Sequence, residues 1–179
     1  MAKYLIFIVL LFYSVFLTAQ TFTDIQAGLT GVSESASNWI DYDQDGDLDI
    51  FVTGEFYNPD HGIKTKLYQN IRNDKFREVP TNIINVYRGS FDWADYNLDG
   101  IPDLFIIGQT LSGKSIAYLY KGNRTSYPTR IDVNVKGVKD GSVRWGDYDG
   151  DGDVDLLIVG QEDGNAVYKI YRNDRNNRF

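Results

Sequence analysis

The sequence predicts an all-β fold built from successive units of four antiparallel strands, with three units present. Three observations carry this. A Trp-x-Asp triplet recurs at Trp39-Ile40-Asp41, Trp93-Ala94-Asp95 and Trp145-Gly146-Asp147, at offsets of 54 and 52 residues, and it uses all 3 tryptophans of the chain. Each triplet leads into an Asp- and Gly-rich loop and then a short apolar run closed by glycine. Aromatic residues make up 15% of the chain, a share that suits pleated, half-buried surfaces. A repeat of this length with four strands per unit fits a β-propeller-type blade. Closed propellers typically need about four to eight blades. Three blades therefore make a partial propeller, or one completed by oligomerisation.

Taken in order, the chain opens on a stretch with the features of a secretory signal. Lys3 is the positive start, Tyr4 to Leu17 is apolar apart from Ser14, and Thr18-Ala19-Gln20 offers a small residue for cleavage. The apolar run is short against the roughly 20 residues of a membrane span. Residues 1–20 are thus expected to be a signal peptide, and the remainder to be secreted or held at the cell surface, with no membrane contact after cleavage. The chain has no cysteine, so disulfides are not what stabilises it outside the cell.

The three repeats are expected over about 21–75, 76–126 and 127–179. In each, one strand ends at the Trp-x-Asp. The next is the apolar run: Asp49-Ile50-Phe51-Val52-Thr53-Gly54, Asp103-Leu104-Phe105-Ile106-Ile107-Gly108, and Asp155-Leu156-Leu157-Ile158-Val159-Gly160. Strand is preferred over helix because β-branched residues dominate and the flanking residues are turn formers. The third strand ends near Tyr68, Tyr120 and Tyr171. The fourth starts near Phe76, Tyr127 and Phe179, and Phe22 stands in the same phase ahead of the first unit. A strand around Phe22 would complete the third blade. Alternatively, further blades come from a longer chain, or a second copy joins three blades to three.

The loops carry the chemistry. They read Asp41-Tyr42-Asp43-Gln44-Asp45-Gly46-Asp47-Leu48-Asp49, Asp95-Tyr96-Asn97-Leu98-Asp99-Gly100-Ile101-Pro102-Asp103 and Asp147-Tyr148-Asp149-Gly150-Asp151-Gly152-Asp153-Val154-Asp155. Their shared pattern is D-x-[DN]-x-D-G-x-x-D. They hold 13 of the 25 acidic residues, and such clusters repel themselves unless a cation sits among them. Calcium takes about six to eight oxygen ligands in flexible geometry. Positions 1, 3 and 5 can wrap one side of the ion, the glycine at position 6 allows the chain to turn, position 7 offers its carbonyl, and position 9 closes the shell. Magnesium demands a tighter octahedron, and zinc prefers His or Cys, of which the chain has one and none. The bidentate Glu that an EF-hand places at position 12 is replaced by Val52, Ile106 and Ile158. Up to three calcium ions are expected, one per repeat. The middle loop should bind least tightly, because Asn97 replaces a carboxylate and Pro102 stiffens the exit. Affinities of about 10⁻⁴ to 10⁻³ M are usual for extracellular modules.

The formal net charge is −7, and the chain shows no basic face for nucleic acid. Three calcium ions would bring the charge of the chain without Lys3 from −8 to −2. His61, the single histidine, lies in a polar turn with no nucleophile pattern nearby, so no catalytic residue is assigned. The tryptophans are expected to pack in the core, sharing one buried strand register. Tyr42, Tyr96 and Tyr148 are expected to cover their loops or face the next blade, and Glu55, Gln109 and Gln161 to make hydrogen bonds at blade edges. Asn123-Arg124-Thr125 matches a glycosylation sequon, a short pattern with many false matches.

The string W-x-D-x-[DN]-x-D-G-x-x-D-[IL]-x-x-x-G, followed by a Tyr strand, resembles the FG-GAP or VCBS-type repeat, the blade of integrin α-subunit propellers and of many secreted bacterial proteins. The resemblance covers essentially all of the chain after the leader. It implies metal ligands at Asp41, Asp43, Asp45, Asp47 and Asp49, at Asp95, Asn97, Asp99, Ile101 and Asp103, and at Asp147, Asp149, Asp151, Asp153 and Asp155, with position 7 serving through its carbonyl. It further implies a non-enzymatic module that binds a protein or glycan partner. The rival expectations are a scaffold within a longer secreted enzyme, such as a polysaccharide lyase, and a structural spacer.

Overall fold

The computed structural model describes residues 21–57, 62–124, 127–175 and 177–179. The leader, His61 and Thr125 of the sequon lie outside the described residues. The first sheet is the meander β1 (Val32–Ile40), β2 (Asp49–Phe56), β3 (Gly62–Asn70) and β4 (Phe76–Val79). The second repeats it with β5 (Tyr87–Ala94), β6 (Asp103–Gln109), β7 (Ser115–Lys121) and β8 (Thr129–Ile131). The third has β9 (Lys139–Gly146), β10 (Asp155–Glu162) and β11 (Asn165–Tyr171). All pairs are antiparallel. The expected blades are thus present, four-stranded in the first two sheets and three-stranded in the third among the described residues. No helix of the described residues is long and apolar enough to cross a membrane.

The apolar runs are explained by burial on both faces, since alternate residues of a strand point to opposite sides. In β6, Leu104 and Ile106 enter a core with Phe51, Leu67, Phe91 and Ile116, between the first and second sheets. Phe105 and Ile107 enter another with Val143, Leu156 and Ile158, between the second and third sheets. A smaller core of Val52, Phe56 and Tyr68 lies on the outer side of the first sheet, with Val32 and Phe76 packed against it. Fully burying a side chain of this kind contributes about 1.5–3 kcal/mol. β5 packs against both β1 and β9, so the first strand of each sheet lines the inner side of the array.

Three sequence expectations are corrected here. First, the glycine that closes each apolar run does not end the strand. The strands continue to Phe56, Gln109 and Glu162, that is two, one and two residues beyond Gly54, Gly108 and Gly160. These glycines sit inside the strand at φ of 152°, 152° and 150°, beside a register shift in the preceding strand at 33/36, 87/90 and, for the third sheet, opposite 159/161. Such shifts are β-bulges, which kink one strand against its partner. A Cβ on Gly54 would lie 2.6 Å from the Ser33 carbonyl oxygen, so the glycine makes room for the bulge. Second, Phe22 lies in irregular chain and is 92% exposed, so no strand forms there to complete the third sheet. Phe179 instead packs on Tyr96 and Trp145, at ring separations of 6.1 and 6.0 Å. Third, the tryptophans do not share one burial state: Trp93 and Trp145 are half-buried, whereas Trp39 is 55% exposed.

Candidate metal centres

Each Asp-rich loop joins the first and second strands of its sheet, over 41–48, 95–102 and 147–154. All three are held by the same internal hydrogen bonds. The position-1 aspartate accepts the position-6 amide: Gly46 to Asp41 at 3.1 Å, Gly100 to Asp95 at 2.7 Å, Gly152 to Asp147 at 3.1 Å. The position-5 aspartate accepts the position-7 amide: Asp47 to Asp45, Ile101 to Asp99 and Asp153 to Asp151, at 2.9, 3.0 and 2.9 Å. The expected turn at position 6 is made by Gly46, Gly100 and Gly152 at φ of 90°, 79° and 88°, a region that glycine enters at no steric cost.

Position 9 is the anchor. Asp49, Asp103 and Asp155 are buried, and each accepts two backbone amides. One comes from position 2, namely Tyr42, Tyr96 and Tyr148 at 3.2, 3.2 and 3.1 Å. The other comes from the chain just past or at the end of the third strand, Asn70, Gly122 and Asn173 at 2.7, 2.7 and 2.8 Å. One carboxylate thereby clamps its own loop to the adjoining hairpin. Burial raises the Asp49 carboxyl above the ordinary range and pushes Asp103 up to about 7, because low-dielectric surroundings disfavour the charged form.

The loops differ in the cation-binding groups they gather. Asp41, Asp43 and Asp49 bring ligand atoms within 4.8 Å of one another, as do Asp147, Asp149 and Asp151. These two triads could hold metal ions. Asp41 supplies the test of fit: its Oδ1 is buried and has no hydrogen-bond partner. A buried carboxylate oxygen in that position costs free energy unless something pairs with it, and an oxygen-seeking cation satisfies it. The middle loop forms no such triad among the described residues. The Asn97 amide donates to Asp103 at 2.9 Å, and the Lys121 ammonium lies 3.0 Å from Asp99. That contact holds the Lys121 pKa above its usual value. There the Lys121 ammonium and the Asn97 amide engage carboxylate oxygens of the loop.

Position 7 is also informative. The Asp47 and Asp153 side chains are engaged by Arg72 at 2.7 Å and Arg175 at 2.6 Å, which leaves their carbonyls as the groups available to an ion. Asp45 stands in an exposed part of its loop, and Asp155, like Asp49, accepts a backbone amide on each oxygen. Sequence reasoning missed Arg72, Arg175 and Lys121. A signal existed: Asn70-Ile71-Arg72 and Asn173-Asp174-Arg175 recur just past the third strand in the two repeats that carry Asp at position 7. Neighbouring loops also touch, since the Gln44 side chain donates to the Gly100 carbonyl at 2.6 Å.

The position-2 tyrosines meet the next sheet where there is one. Tyr96 is buried, stacks on Trp145 at 6.2 Å and 12°, and donates its hydroxyl to Asn177 at 2.6 Å. Burial raises its phenol to about 12. Gln109 makes hydrogen bonds at the edge of its strand, from the Tyr87 hydroxyl at 3.1 Å and to the Gly113 carbonyl at 2.9 Å.

Compared with known families, the chain is matched twice by the model described as FG-GAP-like repeat, over residues 41–106 and 95–158. The two matches together span more than half of the chain, and each runs from one Asp-rich loop into the second strand of the following sheet. No curated protein matches this chain.

Proposed function

This chain belongs to the FG-GAP-like repeat family, and on that premise we propose that it is an extracellular calcium-binding module that acts by binding or adhesion to a protein or glycan partner, without catalysing a reaction. The observation that supports calcium most directly is the first triad, in which Asp41 also has a buried, unpartnered Oδ1. Asp41, Asp43 and Asp49 would hold one ion and Asp147, Asp149 and Asp151 another, with Asp45, Asp47, Asp153 and Asp155 completing the loops around them. The middle site, from Asp95, Asn97, Asp99, the Ile101 carbonyl and Asp103, binds more weakly because Lys121 and Asn97 compete for its oxygens. Calcium suits these loops because it accepts many oxygens in flexible geometry. Bound ions stabilise whatever state binds them, so calcium here is structural. The signal-like residues 1–20 support export.

The test is calorimetric titration with calcium, paired with thermal melts in calcium and in chelator. Two ions per chain, a weaker third and a higher melting temperature in calcium are expected. Absence of binding heat together with an unchanged melt would overturn the calcium reading. Glycan-array binding of the calcium-loaded chain then addresses the partner.

A further inference from the structure

The contact between consecutive sheets is the same each time. Trp93 of the second sheet stands edge-on against Phe51 of the first, at 5.3 Å and 89°. Trp145 of the third sheet stands edge-on against Phe105 of the second, at 5.8 Å and 89°. The later sheet supplies the indole from its first strand, and the earlier sheet receives it on the third residue of its second strand. Both halves of this contact also occur uncovered. Trp39 occupies the indole position of the first sheet, and its ring meets only a tilted Phe76 of its own sheet among the described aromatic contacts. Leu157 occupies the receiving position of the third sheet and is 37% exposed, where Phe51 and Phe105 are 0%. Around it Tyr148 is 58% exposed against 4% for Tyr96, and Ile170 is 49% exposed against 7% for Leu67 and 0% for Leu119.

We propose that a second copy of this chain covers both faces: Trp39 of one copy seats on Leu157 of the other, between Tyr148 and Ile170. The reasons are continuity and complementarity. Each open face lacks the half-contact that the opposite face carries, and a second copy brings both halves at once. The face around Trp39 also has a recess of about 350 Å³ lined by Leu29, Val32, Ile50 and Tyr68, which accepts the exposed aromatic and aliphatic groups of the third sheet. Head-to-tail contacts of this kind close into rings when the rotation permits. The described residues of two copies bring six sheets together, inside the range of about four to eight that propellers use. The contact is made by aromatic and aliphatic groups and does not require the metal reading.

Sedimentation velocity of the purified chain in calcium tests the proposal. A dimer is expected, and Trp39→Asp and Leu157→Asp should each sediment as monomers with unchanged circular dichroism. Tyr168→Asp, at a more exposed site on the same sheet, guards against Leu157→Asp failing to fold. Mixing Trp39→Asp with Leu157→Asp should restore a dimer fraction, because one keeps an intact Leu157 face and the other an intact Trp39 face. A wild-type chain that stays monomeric as its concentration is raised, or variants that sediment as the wild type does, would overturn the second-copy assignment. Calcium titration of the same samples reads the metal sites separately.

Discussion

Trp145 meets Phe105 with their rings perpendicular and 5.8 Å apart, and this contact joins the third sheet to the second beside the buried cluster that holds Phe105. Phe105→Ala should therefore cost about 3–5 kcal/mol, the range for emptying an aromatic site in a packed core. Urea denaturation measures it. Trp39→Ala, at the exposed position in the first sheet that Trp145 occupies in the third, should change the stability of the monomer by less than about 1 kcal/mol. Comparable losses at the two positions would contradict the view that the neighbouring sheet, not the local sequence, decides the energy.

Converting the middle loop to the pattern of the first should strengthen its weak site. Asn97→Asp supplies the missing carboxylate, and Lys121→Gln installs the residue found at the matching Gln69, whose amide bonds Asp43 at 2.7 Å. The double variant is expected to bind its third calcium ion with the affinity of the outer loops. An unchanged affinity at that site would show that Pro102 or the buried Asp103 sets the limit instead. Conversely, Asp151→Ala should delete one ion and leave the site at Asp41 and Asp43 intact, as units that mainly contact their neighbours behave.

Gly54→Ala tests the bulge. At φ of 152° and with its Cβ 2.6 Å from a carbonyl oxygen, alanine has neither the backbone freedom nor the space. The loss should exceed about 1 kcal/mol, the scale on which a compatible Gly-to-Ala change would have stabilised the chain. Gly164→Ala, with a positive φ but nothing within 4 Å, is the control for strain without collision and should cost less. Equal costs would rule out the steric account.

The Glu162 carboxylate is hydrogen-bonded by Lys169 and lies 3.3 Å from the Lys136 ammonium. The Lys169 bond first, and then Lys136, hold its carboxyl below the ordinary value of 4.5. A depressed carboxyl means that the unfolded chain binds the proton more readily. Its contribution to stability is therefore complete above about 4.5 and is lost as pH falls through the lowered value. Melting temperature followed downward through that window should fall less steeply in Glu162→Gln than in the wild type. The difference should also shrink in high salt, because exposed ion pairs are screened.

How much of this was legible in the chain differs from feature to feature. Repeat phase, strand positions and the turns at Gly46, Gly100 and Gly152 could be read directly, because they rest on local backbone preferences repeated at fixed intervals. So could the crowding of carboxylates at Asp41, Asp43 and Asp49, since a nine-residue loop brings its own side chains together. The glycine at 54 is visible in the sequence, but its cause is not, since it lies in a bulge of another strand. Lys121 and Arg72 belong to strands or loops about 22 to 25 residues from the aspartates they bind, so only the paired hairpin puts them there.

The sequence by itself determined that this protein is a tandem of β units, each with one acidic loop, because periodic apolar runs and Asp-Gly turns restrict the chain locally. The tertiary structure alone decided which loops gather carboxylates that could hold a cation and which of three equivalent tryptophans is covered. Burial is a property of the neighbour: Trp39, Trp93 and Trp145 open the same motif, yet the latter two meet an aromatic ring on the preceding sheet, and Trp39 is left facing outward.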